Sequence, residues 1–424
     1  MKRIIWLLAA AVVTTVAATI TTSCKKDMFS AEETKQALEV TFHNDTVDAN
    51  HTWTLLKDVG MLVTVNTLDA ERIELLTANP YTSDKAEVVA AAEVGDDEQV
   101  YLKGSLPLIC DSVYIAAVDA GGQYTVVARP AKDGTADFST LNTPNTGTLT
   151  TPSRQTVYYC FCNSFPQPST TWGFNDLVLS IQKTVVSDRV LRLRVTLEAV
   201  GTTAKTAAAL RLDNVRYDEV DSVTIVSGAG FVRNQSLQRT IIKDDAPLLR
   251  GMDGMAVINL FDDAHAAFNS TIGATGEVTY CRYNVSHNNG GSDRERAPVT
   301  VTFDVHCKGN QVVNAVSFGR LDPFIVYFYN SNLWEVHKYP YKFNQTLVSY
   351  LGDEPKNYDN GYTWALEVPY TWFRYPLTGQ SMGSYKKGAL YGAYQTVGHS
   401  FGEWGAHRVK AQDWYLYPNV NMVF

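Results

Sequence analysis

The chain has 424 residues, and its 44 Asp and Glu outnumber its 36 Lys and Arg to give a net charge of −8 at pH 7. This acidic balance, without a basic stripe, excludes nucleic acid as the natural partner, and 45% hydrophobic with only 19% charged residues excludes disorder as the main state. The 23 Tyr, 17 Phe and 8 Trp suit cores, interfaces or sugar-binding surfaces.

The first residues have the pattern of an export signal. Two basic residues follow the initiating Met, an apolar run covers residues 4–20, and small residues precede Cys24. The run is shorter than the about 20 apolar residues of a membrane-spanning helix, so it predicts a cleavable signal peptide over residues 1–23. The stretch before Cys24 resembles the lipobox of bacterial lipoproteins. This resemblance implies lipidation of Cys24, a tether over residues 24–37 and a membrane as partner.

Five more cysteines follow, and export would place them where disulfides persist. Their odd number leaves at least one thiol without an intramolecular partner, and the pairing stays open. Cys160 and Cys162 would share one face of a strand, so we do not expect them to bond to each other. No CxxC pair is present, so no zinc site is predicted.

Residues 38–140 predict a small β-sandwich of the immunoglobulin or fibronectin type. Short apolar runs rich in β-branched residues alternate with turn residues such as those at 95–98 and 119–122. The predicted strands cover residues 61–66, 72–76, 88–90, 100–102, 113–118 and 124–127.

A linker and a larger β-rich block follow. Thr, Pro, Asn and Gly dominate residues 141–154, which is typical of linkers. In the block over residues 155–424, strict alternation over 191–197 and 299–305 predicts antiparallel strands with one wet face. One helical turn is predicted over 264–268, with Asp262 or Asp263 as its N-cap.

Seven phrases of the second block resemble the LruC domain of outer-membrane lipoproteins. Each is short, but together they keep the family's order over most of the block. The resemblance implies a cell-envelope lipoprotein of the outer membrane and no particular reaction. We expect the protein to be exposed at the cell surface, and the sequence leaves outward and periplasmic orientation open. The phrases are FNDLV at 174–178, LFDDAH at 260–265, DPFI at 322–325, EVH at 335–337, WALEVP at 364–369, FRYP at 373–376 and DWY at 413–415.

A calcium site is a candidate that the resemblance raises and the sequence weakens. Members of the LruC family carry carboxylates directly before FND, whereas residues 169–173 contain none. Calcium needs six or more oxygen ligands, and turn or cap roles explain the remaining side chains more simply. The family-matched candidates for Ca²⁺, the only cofactor considered, are Asn175, Asp176, Asp262, Asp263 and Asp413.

An enzyme would need paired carboxylates in an aromatic cleft, as glycoside hydrolases have. Glu335 and Glu367 are the candidates, but we expect ordinary surface carboxylates there. GxSxG and HExxH motifs are absent from the sequence, so no catalytic residue is predicted. Aromatic residues could instead stack on sugar rings or fill the core; the candidate ligand-binding aromatics are Trp334, Trp364, Trp372 and Tyr375.

The sequence therefore predicts a cell-envelope lipoprotein that displays non-catalytic β domains for adhesion or for binding a ligand such as a glycan. One alternative is a surface protein that binds or hydrolyses carbohydrate. Another is a structural component of fimbriae or the envelope that docks partners through a strand edge.

Overall fold

The computed structural model describes most of the chain beyond residue 46. Cys24, the signal peptide and the tether lie outside the described residues, so those predictions are not tested. Within the described part, no helix is both long and apolar enough to cross a bilayer. The described residues are 47–65, 69–96, 99–132, 134–138, 145, 147–164, 172–232, 241–242, 246–268, 280–329, 332–338, 346–347, 363–386 and 389–424.

The N-terminal sandwich consists of two facing sheets. One has the strand order β4-β1-β7 and the other β6-β5-β2-β3-β8, with apolar side chains such as Met61, Ile73 and Ile115 buried between them. The strands are β1 (Leu56–Thr64), β2 (Arg72–Leu76), β3 (Glu87–Glu93), β4 (Gln99–Pro107), β5 (Ser112–Val118), β6 (Tyr124–Pro130), β7 (Thr135–Asp137) and β8 (Ser153–Arg154).

The described part of the predicted linker packs against this sandwich. Leu149 contacts a small cluster on the outer face of the five-stranded sheet, around Leu76 and Tyr124. The backbone N–H of Thr150 donates to the carbonyl of Pro80 at 3.0 Å, and β8 pairs with β3. Apolar contacts and hydrogen bonds thus hold this segment.

The C-terminal sandwich has a six-stranded sheet in the order β13-β18-β11-β10-β9-β21 and a five-stranded sheet in the order β14-β15-β12-β19-β20. The larger strands are β9 (Thr156–Phe161), β10 (Leu177–Ser187), β11 (Val190–Ala199), β12 (Thr206–Arg216), β13 (Val220–Ser227), β14 (Leu248–Arg250), β15 (Met255–Phe261), β18 (Val299–Cys307), β19 (Leu321–Tyr329), β20 (Asn332–His337) and β21 (Ala365–Val368). Short pairs form from β16 (Arg282–Tyr283) with β17 (Asp293–Arg294), β22 (Ser384–Lys386) with β23 (Ala389–Tyr391), and β24 (Gln395–Thr396) with β25 (His399–Ser400).

Helices are short and lie between strands. They are α1 (Ala229–Val232), α2 (Ala264–Phe268), α3 (Asn310–Ala315) and α4 (Phe401–Ala406), with single 3-10 turns at Tyr217–Glu219, Phe318–Arg320 and Trp414–Leu416. The predicted helix α2 is present, and Asp263 is its N-cap, because its Oδ1 accepts from the backbone N–H of His265 at 3.0 Å. Asp262 instead accepts from Asn259 Nδ2 at 2.7 Å.

The predicted mainly β fold is confirmed. Leu193 on β11 lies opposite Phe303 on β18, and Val195 lies opposite Val301, so both alternating stretches turn their apolar sides into one core. Ile258 and Ile325 close this core from the five-stranded sheet. The five described cysteines, all free thiols, are Cys110, Cys160, Cys162, Cys281 and Cys307.

The two sandwiches are joined by more than the linker. Trp53, in the segment before β1, is buried in the C-terminal core, where it stacks on His51 at 4.1 Å. Asp58 on β1 accepts hydrogen bonds from Ser105 and from Ser317, both at 2.9 Å. Polar groups at this junction are therefore bonded across it, which positions the surfaces described next.

Candidate functional site

The junction carries an exposed aromatic surface, the junction platform, made of Lys85, Tyr370 and Trp372. The Trp372 side chain is 41% exposed, and its ring lies 5.5 Å from that of Tyr370 at an interplanar angle of 64°. Lys85 comes from the N-terminal sandwich, and its Nζ donates to the Tyr370 hydroxyl at 3.1 Å. The same Nζ lies 5.8 Å and 5.9 Å from the two ring centroids, within cation–π distance.

A buried carboxylate holds this platform from below. Glu87, at the start of β3, accepts hydrogen bonds from both the hydroxyl and the backbone N–H of Thr371. Burial raises the pKa of Glu87 to about 7, although the Thr371 hydrogen bonds oppose this shift. Thr371 also accepts from the backbone N–H of Thr156 at 3.2 Å. The loop between Tyr370 and Trp372 is therefore fixed to both sandwiches.

The other three candidate aromatics lie in or against the core. Trp364 is 3% exposed, and Tyr375 is 6% exposed and stacks on Phe424 at 5.6 Å. Trp334 is half-buried and packs against the C-terminal core. Of the four, Trp372 has the ring that a ligand can reach.

The structure corrects the expectation that Glu335 and Glu367 are surface carboxylates, because both are buried. Glu335 accepts from the backbone N–H groups of Thr346 and Leu347 at 2.6 and 2.5 Å. Glu367 accepts from Lys338 Nζ at 2.8 Å. Each carboxylate thus has its own set of partners, and buried charges of this kind need such partners.

Glu335 belongs to a second feature, the sheet-face network of Arg211, Asp322, Glu335 and His337, on the outer face of the five-stranded sheet. His337 Nδ1 lies 2.8 Å from Asp322 and its Nε2 lies 3.0 Å from Glu335. Burial alone would lower the pKa of His337, but the two carboxylates raise it to about 9. The ring is therefore an imidazolium that donates from both nitrogens, which leaves it no lone pair for general-base chemistry.

The five calcium candidates have protein partners. Asn175 Nδ2 donates to the carbonyl of Pro376 at 2.8 Å, and Asp176 accepts from the backbone N–H of Asn163 at 2.8 Å. Asp413 lies 2.7 Å from His399 Nδ1. Asp262 accepts from Asn259 on β15, and Asp263 caps α2, as described above. Among the residues that the structure covers, no group of three or more His, Cys, Asp or Glu side chains could hold a metal ion.

Sequence reasoning missed Lys85 as the partner of Tyr370 and Trp372, because Lys85 lies 285 positions before Tyr370 in the chain. The sheet-face network was signalled, since DPFI contains Asp322 and EVH contains Glu335 and His337. The sequence does not show that the side chains of these two phrases meet in one charged cluster, because the pairing of β19 with β20 brings them together.

Comparison with known proteins gives a family and a fold. The family model described as "Domain of unknown function (DUF4842)" matches residues 189–415, more than half of the chain. The LruC name is not the one that this comparison gives. No curated protein matches the chain.

Two solved structures are similar to different degrees. A "Putative lipoprotein" of Bacteroides ovatus matches with a TM-score of 0.50 at 15% identity, over 84% of this chain and 99% of that one. At this identity the likeness is one of fold. The collagen-binding domain of the surface protein RspB of Erysipelothrix rhusiopathiae matches with a TM-score of 0.18 at 8% identity, over 74% of this chain and 83% of that one, which is too low to indicate a shared fold.

Proposed function

The chain belongs to the DUF4842 family, and we propose that it is a cell-envelope lipoprotein that captures glycans without cleaving them. The observation that carries the proposal is the junction platform, where Trp372 offers an exposed ring beside Tyr370 and Lys85. An indole ring presents a flat apolar face, and a neighbouring cation and hydroxyl can bond to sugar oxygens. A sugar ring has an apolar face of C–H groups that can stack on the indole and hydroxyl groups that can bond to the cation and the hydroxyl.

Rigidity of the platform supports this proposal. Thr371 is bonded to Glu87 and to the backbone of Thr156, so the rings on either side of it are held before a ligand arrives. A surface that is already ordered loses less conformational entropy on binding. Trp and Tyr are also the residues that most often dominate binding energies at interfaces.

The non-catalytic part of the proposal rests on the candidate carboxylates. Glu335 and Glu367 are buried, and the carboxylate oxygens of each accept hydrogen bonds from neighbouring protein groups. A glycosidase needs its two carboxyl groups on either side of one scissile bond, with one of them protonated. Glu335 and Glu367 do not meet this requirement in their present bonding.

The envelope location is proposed from the lipobox resemblance at Cys24 and implies anchoring by acyl chains, each methylene of which adds about 0.8 kcal/mol when buried. Growth with labelled palmitate should mark the wild-type protein and leave Cys24→Ser unmarked. Label on Cys24→Ser, or unlabelled wild type in the cytosol, would contradict the anchor.

Glycan binding can be tested with the full chain on a glycan array. We expect wild type to bind a subset of glycans and Trp372→Ala to lose it. Tyr217→Ala is the matched control, because Tyr217 is an exposed aromatic outside the platform. If Trp372→Ala and wild type bind glycans equally, the junction platform is not the glycan-binding site. Release of reducing ends from bound glycans would favour the carbohydrate-cleaving alternative.

A further inference from the structure

A cleft where the two sandwiches meet is lined by three cations and is named here the basic cleft. Its volume is about 120 Å³, and Lys103, Arg154 and Lys183 contribute to its lining. Lys103 belongs to β4, Arg154 to β8 and Lys183 to β10, so both sandwiches supply charge. None of the residues that line it is acidic.

These cations lack the carboxylate partners that several buried or half-buried arginines of the chain have. Arg192, Arg211 and Arg282 each bond to a carboxylate at 2.7 Å. By contrast, Lys103, Arg154 and Lys183 form no ion pair with any residue in the described ranges. In a chain with a net charge of −8, unpaired cations from three strands concentrate positive potential in one concave place.

Lys183 is the most constrained of the three. It follows Leu179 and Ile181 on the inward face of β10, so its ammonium lies where the C-terminal core ends. Burial lowers its pKa to about 8; Asp58 opposes this shift, and Lys103 adds to it. An anion placed between Lys103 and Lys183 would relieve both the desolvation and the repulsion.

The walls of the cleft favour a sugar as the carrier of that anion. Ala90 and Ala91 give a low apolar floor, and the ring of Tyr101, 63% exposed, stands at the lining. A peptide adding to the edge of β3 would meet β4, because a Cβ built on Gly104 would lie only 3.2 Å from the Val89 carbonyl oxygen. The edge is therefore covered at that point, and strand addition is disfavoured.

We propose that the basic cleft binds the carboxylate or sulfate groups of an acidic oligosaccharide. The proposal rests on the glycan-binding function above and narrows its ligand class. The cleft and the junction platform share β3, since Lys85 precedes that strand and Val88 to Ala91 line the cleft. One extended oligosaccharide could therefore contact both the basic cleft and the junction platform.

Calorimetric titration of the full chain tests this with four probes: oligogalacturonate, a sulfated chondroitin oligosaccharide, a neutral galactan oligosaccharide and poly-glutamate. Lys103→Gln/Lys183→Gln should weaken binding of one or both acidic sugars about tenfold and leave the neutral sugar unchanged. Lys183→Arg should retain most of the affinity. The matched control is Lys308→Gln/Lys410→Gln, which removes the same charge from exposed positions.

Each outcome decides between the two proposals. If the cleft variant and the Lys308→Gln/Lys410→Gln control lose the same affinity, the net charge of the protein is responsible. That result would overturn the proposal that the basic cleft binds the acidic sugar. Poly-glutamate bound as tightly as the acidic sugars would overturn the sugar assignment. If Trp372→Ala no longer binds the sugars while the cleft variant still binds them, the basic cleft is not a sugar site. The proposed function, glycan binding at the junction platform, then stands. If wild type binds none of the sugars, both fail.

Discussion

Charged residues of the sheet-face network and of the basic cleft differ in one respect: the first are paired and the second are not. His337 bonds to two carboxylates, and Arg211 bonds to Asp213 and Asp253 and lies 4.0 Å from Asp322. Lys183 is also desolvated but has no such partner among the described residues. Paired buried charges serve the fold, whereas an unpaired one costs stability and is available to a ligand.

The largest expected effect is in the sheet-face network. His337→Gln should lower the free energy of unfolding by about 3–5 kcal/mol, because it leaves Asp322 and Glu335 buried without their cation. Urea denaturation at pH 7 measures this loss. Arg192→Ala is the control, since its salt bridge to Asp304 lies at the surface, and its loss should be far smaller. Equal losses would contradict the distinction between the two settings.

A smaller effect is expected at Glu87 below the junction platform. Its pKa in the folded state is raised to about 7 from the ordinary 4.5, so the folded chain binds more protons between these values than the unfolded chain. This contribution to stability is complete below pH 4.5 and is lost as the pH rises through 7, a difference of about 3 kcal/mol.

Glu87→Gln keeps an oxygen that accepts from Thr371 and removes the titration. Subtracting its unfolding free energy from that of wild type, from pH 4.5 to 8, should give a difference that falls with pH. A flat difference would mean that Glu87 ionises normally and does not strain the junction.

Removing a charge from the basic cleft should change the free energy of unfolding in the opposite direction to removing His337 from the sheet-face network. Lys183→Met should raise the free energy of unfolding at pH 7 by about 1–3 kcal/mol, because it removes a desolvated cation and keeps an apolar stem. The pKa of Lys183 is lowered to about 8 from 10.5, so wild type recovers the difference as the pH rises from 8 to 10.5. Destabilisation at pH 7 would show that the ammonium has a stabilising partner.

Strand alternation made the fold predictable, because a side chain on every second position must reach the core. The stretches at 191–197 and 299–305 are strands of one sheet, and the strand predicted at 72–76 is β2 with the same bounds. The period-two pattern also tells which side faces away from the core. It does not tell whether that side meets water.

Glu335 and Glu367 were wrongly expected at the surface, because strand alternation does not show whether the outward side of a strand is covered by other parts of the chain. The outer face of β20 is covered near Glu335 by residues 346–347, and Glu367 on β21 is covered by Lys338 and Thr54. Likewise, Lys85 meets Tyr370 across 285 positions of sequence, and no local pattern encodes such a contact. Assembly of the two sandwiches decides which aromatic stays exposed.

Titration of Trp372→Ala with a glycan that wild type binds tests the central claim most directly. We expect a loss of affinity of about tenfold or more, as is usual for removing an aromatic hot spot, with partial recovery in Trp372→Phe and an unchanged melting temperature. Unchanged affinity in Trp372→Ala would contradict the claim that this chain captures glycans at the junction platform.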